Sequence, residues 1–145
     1  MSDAPLPALP CACANLRRAA RAVTQAYEAA LRGTGLRVTQ CTLLQVLHLM
    51  GPRLQGELGD ALAIDSTTLS RTLRPLAGAG WIRARRGKDR REVRWAITPA
   101  GTRRLLRALP AWERAQARLQ ERLRPEHWRM LLQDLAVVAG AARGD

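Results

Sequence analysis

Three cysteines carry the most varied chemistry in this chain of 145 residues. Cys11 and Cys13 are separated by one residue, and Cys41 stands alone further along the sequence. Alternate positions face the same way in an extended segment, whereas they lie on different faces of a helix. An extended Cys11-Ala12-Cys13 could therefore hold a soft metal or metalloid ion, together with Cys41 or a residue of a partner chain.

Two other interpretations of the cysteines stay open. A helix N-terminus and the nearby Arg17 and Arg18 can lower the pKa of a thiol, which would make Cys11 or Cys13 sensitive to oxidants. Alternatively, Cys11 and Cys13 pack as small apolar residues at a dimer interface, and Cys41 fills a helical core. An odd number of cysteines in a chain of this length does not suggest a disulfide framework.

The basic residues are unevenly distributed along the chain. They are 24 in number, all Arg except Lys88, against 12 acidic residues. Residues 71–107 hold half of them, opposed only by Asp89 and Glu92, so this segment carries most of the net charge of +12. A contiguous basic patch binds polyanions, and guanidinium groups suit phosphate oxygens and guanine edges. The charge pattern therefore favours nucleic acid as the partner.

Other kinds of chemistry find little support in the sequence. His48 and His127 lack carboxylates or cysteines at ligand spacing, and no HExxH, GxSxG or P-loop motif occurs. We therefore expect a protein that is not an enzyme and requires no cofactor. No apolar run approaches the roughly 20 residues of a membrane span, and the N-terminus lacks the pattern of an export signal. We expect a cytoplasmic protein with no membrane partner.

Apolar periodicity and the placement of Gly and Pro define the elements that must position these residues. They predict a Pro-rich extended arm over residues 1–10, and helices at about 13–31, 39–50, 55–62, 66–78, 99–123 and 125–142. Pro75 should bend or shorten the fourth helix. Strands at 81–86 and 93–97, joined by a turn at 87–90, form a hairpin.

The third and fourth helices are joined by a tight turn and form a helix-turn-helix, with Asp65 or Ser66 capping the second of them. The buried stripe of that second helix is Leu69, Leu73 and Leu76. Its opposite face carries Thr67, Arg71 and Arg74, with Ser70 on the flank. Hydroxyl and guanidinium groups on an exposed helix face suit a DNA major groove. The tip of the basic hairpin could reach a minor groove through Arg86, Lys88, Arg90 and Arg91.

This order of elements resembles the MarR family of bacterial transcription regulators. The matching stretch is residues 55–101, QGELGDALAIDSTTLSRTLRPLAGAGWIRARRGKDRREVRWAITPAG. Its most specific motifs are Gln55-Gly56-Glu57-Leu58, Asp65-Ser66-Thr67-Thr68-Leu69, Asp89-x-Arg91 and Ile97-Thr98-Pro99-Ala100-Gly101. The resemblance implies a homodimer that binds a pseudo-palindromic operator in double-stranded DNA and usually represses nearby genes.

Site residues implied by the resemblance fall into two sets. The major-groove set is Ser66, Thr67, Thr68, Ser70, Arg71 and Arg74. The minor-groove finger is Arg91 with Arg90, and the remaining predicted DNA-binding residues are Gln55, Arg86 and Lys88. The chain departs from the family at Cys41, where relatives often have an aromatic residue. Because it also has no Phe and only Tyr27 as a tyrosine, the resemblance does not extend to an aromatic-lined effector pocket.

We therefore predict a mainly α fold with a small β-hairpin wing. Residues 37–98 form a winged helix-turn-helix, and 11–36 with 99–145 form a helical dimerisation region from both termini. The predicted function is a homodimeric, sequence-specific DNA-binding regulator, most simply a repressor, modulated by a small-molecule effector. The alternatives are the same scaffold acting as a thiol-based redox or soft metal sensor through Cys11, Cys13 and Cys41, and a sequence-independent architectural DNA-binding protein.

Overall fold

The structure, a computed structural model, describes residues 6–87, 89 and 92–143. The helices are α1 (Ala12–Leu31), α2 (Val38–Met50), α3 (Gln55–Leu62), α4 (Ser66–Gly78), α5 (Pro99–Glu121) and α6 (Pro125–Ala141). The strands β1 (Arg53–Leu54), β2 (Ile82–Arg86) and β3 (Val93–Ile97) form an antiparallel sheet in the order β1-β3-β2. The predicted fold class, mainly helical with a winged helix-turn-helix, is confirmed. Within the described ranges, no helix combines the length and apolar character needed to cross a membrane.

Local chemistry explains where the helices begin. The Glu57 carboxylate accepts from the backbone N–H of Leu54 over 2.7 Å, which satisfies a free donor at the start of α3. Asp65 caps α4, and Thr98 caps α5 by accepting from Gly101 N over 3.1 Å, with Pro99 in the first turn. These starts agree with the sequence prediction because capping depends only on residues within one turn of each other.

The core is built around α2 and is rich in leucine. Its fully buried members are Leu31, Cys41, Leu43, Leu44, Leu47, Leu58, Leu69, Leu73, Leu76 and Leu105. The predicted stripe of α4 is confirmed, since its three leucines are each at most 1% exposed. The helix-turn-helix is therefore held rigidly on α2 and α5 by apolar packing.

A close approach fixes the wing to the start of α5. Thr98 Oγ1 donates to Gly80 O over 2.6 Å, and Thr98 N donates to Trp81 O over 3.0 Å. A Cβ atom on Gly101 would lie only 2.0 Å from Trp81 O, so no larger residue fits there. The base of the wing thus moves with α5.

Two features differ from the sequence-based expectation. The strand β1 was not predicted, because two residues are too short for a periodic pattern and its pairing with β3 depends on tertiary contacts. Of the two effects expected from Pro75, a bend or a shorter helix, shortening does not occur, because α4 continues to Gly78, the end that the sequence predicted. The carbonyl of Pro75 accepts from Ala79 N over 3.0 Å, so the last turn is retained beyond the proline.

The helix α6 stands apart from the rest of the fold, because it has no buried residue. Its exposed apolar side chains are Met130, Leu131, Leu132, Leu135, Val137 and Val138. A helix that keeps an apolar face in water loses the burial that normally stabilises it.

Candidate nucleic-acid interface

The first turn of α4 is held by Asp65. One carboxylate oxygen accepts from Thr68 N over 2.9 Å, and the other accepts from Thr68 Oγ1 over 2.6 Å. These bonds, chiefly the one from the Thr68 hydroxyl, lower the pKa of Asp65. The ionised carboxylate also suits the positive end of the helix dipole. Thr68, which was predicted to contact DNA, is exposed, but its hydroxyl hydrogen is already donated to Asp65.

The outer face of α4 presents hydroxyl and guanidinium groups to solvent. Its exposed members are Ser66, Thr67, Ser70, Arg71 and Arg74. All five were predicted as DNA-binding residues, and the structure places them along one helix whose opposite side is sealed into the core. Such a face can reach base edges and phosphates in a groove without disturbing the fold.

The wing carries a row of arginines beside α4. Arg85 on β2 and Arg94 on β3 are directly opposite in the antiparallel register, and both are exposed. Like charges directly opposite each other destabilise a sheet. Arg83, two residues before Arg85 and also exposed, lies on the same side of its strand. This arrangement is unfavourable for the protein alone and favourable next to a polyanion.

The wing tip is only partly described. Arg86 is exposed at the end of β2, and Gly87 N donates to Glu92 O over 2.8 Å where the two strands leave the tip. Lys88, Arg90 and Arg91 lie outside the described residues, so their predicted contact with a minor groove stays a prediction. Arg83, Arg85 and Arg94 were not among the predicted DNA-binding residues, although their alternation within two predicted strands is a signal that places them on one face.

Gln55, also predicted to bind DNA, is half-buried at the start of α3. Its amide is hydrogen-bonded to Trp95 on β3 and to Ser70 on α4, so it touches both the wing and α4. The structure therefore places Gln55 between these two elements rather than on the outer face with Arg71.

The cysteines are not brought together in the chain. Cys11 and Cys13 are exposed at the start of α1, whereas Cys41 is 1% exposed within the core. Burial raises the pKa of Cys41 to about 11, which keeps its thiol protonated at neutral pH. Among the described residues, no group of three His, Cys, Asp or Glu side chains could hold a metal ion. A site formed by all three cysteines of one chain is therefore not present in this fold.

Residues 34–92, which contain α2, the helix-turn-helix and most of the wing, match the model of the MarR family. The Mycobacterium tuberculosis transcriptional regulator MosR, solved in complex with DNA, is 35% identical to this chain, with a TM-score of 0.83. The comparison covers 92% of this chain and 96% of MosR. The chain belongs to the MarR family.

Further comparisons agree with this assignment. The transcriptional repressor CouR, solved on a 23-mer DNA duplex, is 27% identical, with a TM-score of 0.79 over 89% of this chain and 92% of CouR. The uncharacterized HTH-type transcriptional regulator YwoH of Bacillus subtilis (strain 168) is 30% identical over 84 residues. That match spans 58% of this chain and 61% of YwoH, less than two thirds of its length.

As a member of the MarR family, this chain is a transcription regulator. The family model ends within the wing, before α5 and α6, whereas MosR and CouR superpose over nearly the whole chain. The layout of the long helices is therefore shared with solved regulators, beyond the region in which the sequence motifs lie.

Proposed function

We propose that this protein is a homodimer that binds a specific, pseudo-palindromic site in double-stranded DNA and represses transcription from it. One observation carries the proposal: two exposed surfaces lie on neighbouring elements. The first is the face of α4 that presents Ser, Thr and Arg side chains, and the second is the wing, where Arg85 and Arg94 lie opposite each other. MosR and CouR, both solved with DNA, share this fold. As a DNA-binding regulator the protein would act in the cytoplasm.

In the proposed complex, α4 lies in the major groove and the wing follows the backbone toward the minor groove. Arg71 and Arg74 can each donate two hydrogen bonds to guanine, while Ser66 and Thr67 can donate to phosphate oxygens. Lys88, Arg90 and Arg91 would extend this surface at the wing tip. Two copies related by a twofold axis would read half-sites one helical turn apart.

The experiment that tests this function is a footprint on the DNA upstream of the protein's own gene, followed by a salt-matched shift assay. Arg71→Ala should weaken binding to the protected site by about 5- to 100-fold, as for an arginine that contacts guanine. Arg21→Ala removes an exposed arginine of α1 and should have little effect. Protection of no defined sequence, with equal binding to bulk DNA, would favour the architectural alternative.

The proposed dimer is supported by the uncovered side of α6. Leu131, Leu132, Leu135 and Val138 lie on one face of this helix and are between 38% and 50% exposed. A second copy, which presents the same face, can cover it by a self-complementary contact. The termini of the chain thus supply the dimerisation region, and the middle supplies the DNA-binding region.

The proposed small-molecule input is supported by a cavity of about 300 Å³ between α1 and α5. Its lining is apolar, with Val23, Ala26 and Leu119, apart from Tyr27 and the guanidinium groups of Arg118 and Arg122. A pocket of this type suits a small organic anion, whose apolar part would contact the apolar lining and whose charged group would face the two arginines. A ligand there would change how α5 meets α1, and α5 carries the base of the wing.

A thiol input is the second candidate, favoured by the exposure of Cys11 and Cys13. Cys11 has an extended backbone, with φ −128° and ψ 130°, at the N-cap of α1, and its side chain makes no capping hydrogen bond. An organic hydroperoxide would transfer one oxygen atom to a thiol, giving a sulfenic acid and the corresponding alcohol. A soft metal or metalloid ion held by these thiolates would instead need further ligands from the partner chain.

The two inputs are separated by Cys11→Ser and Cys13→Ser. Loss of DNA release by a hydroperoxide in either variant would support the redox input, and loss of release by As(III), Cu(I) or Zn(II) would support a soft-ion site. A response to a small organic effector that survives both substitutions would support the cavity between α1 and α5. The DNA-binding half of the proposal is the same in each case.

A further inference from the structure

The side chain of Gln55 connects the two elements that would read DNA. Trp95 Nε1 on β3, the central strand of the sheet, donates to Gln55 Oε1 over 3.1 Å. Gln55 Nε2 in turn donates to Ser70 Oγ on α4, also over 3.1 Å. The amide group of Gln55 therefore links the wing to α4 by two hydrogen bonds.

The chemistry of the indole group fixes the direction of both hydrogen bonds. An indole N–H can only donate, so the amide oxygen of Gln55 must face Trp95 and the amide nitrogen must face Ser70. The Ser70 hydroxyl accepts from Gln55, which leaves its own hydrogen to donate elsewhere. Because Ser70 is exposed on α4, that hydrogen can be offered to an acceptor outside the protein. Phosphate oxygens and the acceptor atoms of bases are such groups.

The position of this bridge matters for the angle between α4 and the wing. The chain already joins the two elements at the end of α4, where Trp81 N donates to Leu76 O over 2.9 Å. Ser70 lies roughly two helical turns before that point. Ile82 of β2 also belongs to the apolar cluster that contains the buried leucines of α4. The bridge adds a polar and therefore directional contact to this packing.

We propose that Gln55 is a positioning residue that sets α4 relative to the wing and presents Ser70 as a hydrogen-bond donor to DNA. The proposal rests on the DNA-binding function proposed above, and it replaces the prediction that Gln55 contacts DNA itself. The bridge carries no charge, so its loss leaves the attraction between arginines and phosphates intact. The effect falls on the preference for the specific site over random DNA.

The test compares Gln55→Met, Trp95→Phe and the double variant with the wild-type dimer. Gln55→Met keeps the length of the side chain and removes its hydrogen bonds, while Trp95→Phe keeps an aromatic ring and removes the donor. The readout is the ratio of the Kd for a random duplex to the Kd for the footprinted duplex, at equal length and salt. Each single variant should lower this ratio about three- to tenfold, the value of a hydrogen bond. The double variant should lower the ratio about as much as the more impaired of the two single variants, because both changes interrupt the same bridge.

The control is Gln25→Met, which changes an exposed glutamine of α1 and should leave the ratio unaltered. If Gln55→Met lowers the ratio and Trp95→Phe does not, Gln55 acts on DNA directly and the proposal is wrong. An equal loss of affinity for both duplexes would also overturn it, since that is the result of a merely structural defect.

A readout without DNA separates the bridge from the proposed function. The indole N–H resonance of Trp95, identified by its absence in Trp95→Phe, should shift in Gln55→Met when the ¹H–¹⁵N spectrum is recorded on the free protein. An unmoved resonance would contradict the bridge, whatever the protein does with DNA. A shifted resonance in a protein that prefers no duplex would instead contradict the proposed function.

Discussion

The winged helix and α6 differ in how far their leucine side chains are buried. The leucines of α4 are each at most 1% exposed, whereas Leu131, Leu132 and Leu135 of α6 are between 38% and 50% exposed. The first set packs in one cluster with buried residues of α2, α3 and β2 in the same chain. In the part of the chain that the structure describes, no residue of α6 is buried. The leucines of the winged helix are therefore covered within one chain, while the stability of α6 depends on what covers its apolar face.

The largest expected effect is in the core of the winged helix. Leu73→Ala should lower the free energy of unfolding by about 2–5 kcal/mol, because it removes buried contacts and leaves a cavity. Chemical denaturation at two protein concentrations measures this loss. It should be the same at both, since Leu73 is buried within one chain. A loss that depends on concentration would mean that the winged helix also relies on a partner.

The matching substitution in α6 should act on association. Leu132→Glu places a charge on the apolar face, so we expect the Kd of the dimer to rise about 10- to 100-fold through lost burial and the cost of desolvating a carboxylate. Sedimentation equilibrium measures this Kd. Leu49→Glu, at a position of α2 that is 82% exposed, is the matched control and should leave it unchanged. An unaffected dimer in Leu132→Glu would place the interface elsewhere.

A substitution in the wing should have two smaller effects of opposite sign, one on the stability of the free protein and one on its affinity for DNA. Arg94→Gln removes one member of the opposed Arg85 and Arg94 pair, which should raise the stability of the free protein by about 0.2–1 kcal/mol. The same variant should bind DNA more weakly and reduce the slope of log K against log salt by about one. Thermal unfolding and salt titration of the shift assay measure the two effects. Reduced stability together with unchanged DNA binding would remove Arg94 from the interface.

The smallest effect distinguishes the buried Cys41 of α2 from the exposed Cys11 and Cys13 at the start of α1. At pH 8 a thiol reagent should modify the exposed Cys11 and Cys13 and leave Cys41 unmodified until the protein is denatured, because burial raises the pKa of Cys41 to about 11. Above pH 9 the unfolded state releases this proton before the native state does. Stability from Cys41 should therefore be present below pH 9 and be lost as the pH rises toward 11. Rapid reaction of three thiols in the native protein would contradict the burial of Cys41.

Much of the winged helix could be predicted from the sequence because its signals are local. The bounds predicted for α3 and α4 agree with the structure, and the Asp65 cap and the leucine stripe of α4 act over only one or two turns. The exposed position of Arg71 and Arg74 follows from the same helical geometry. The strand β1 could not be predicted, because two residues form a strand only when β3 lies beside them.

The sequence by itself determined the family, the order of the elements and the face of α4 that points outward. These depend on composition, on periodicity and on contacts between near neighbours. Only the tertiary structure decided that Gln55 bridges Trp95 and Ser70, that Arg85 opposes Arg94, and that Cys41 lies apart from Cys11 and Cys13. Each of these is a relation between residues on different elements. The distances between these residues are set by how the elements pack, and the spacing of residues along the chain does not show those distances.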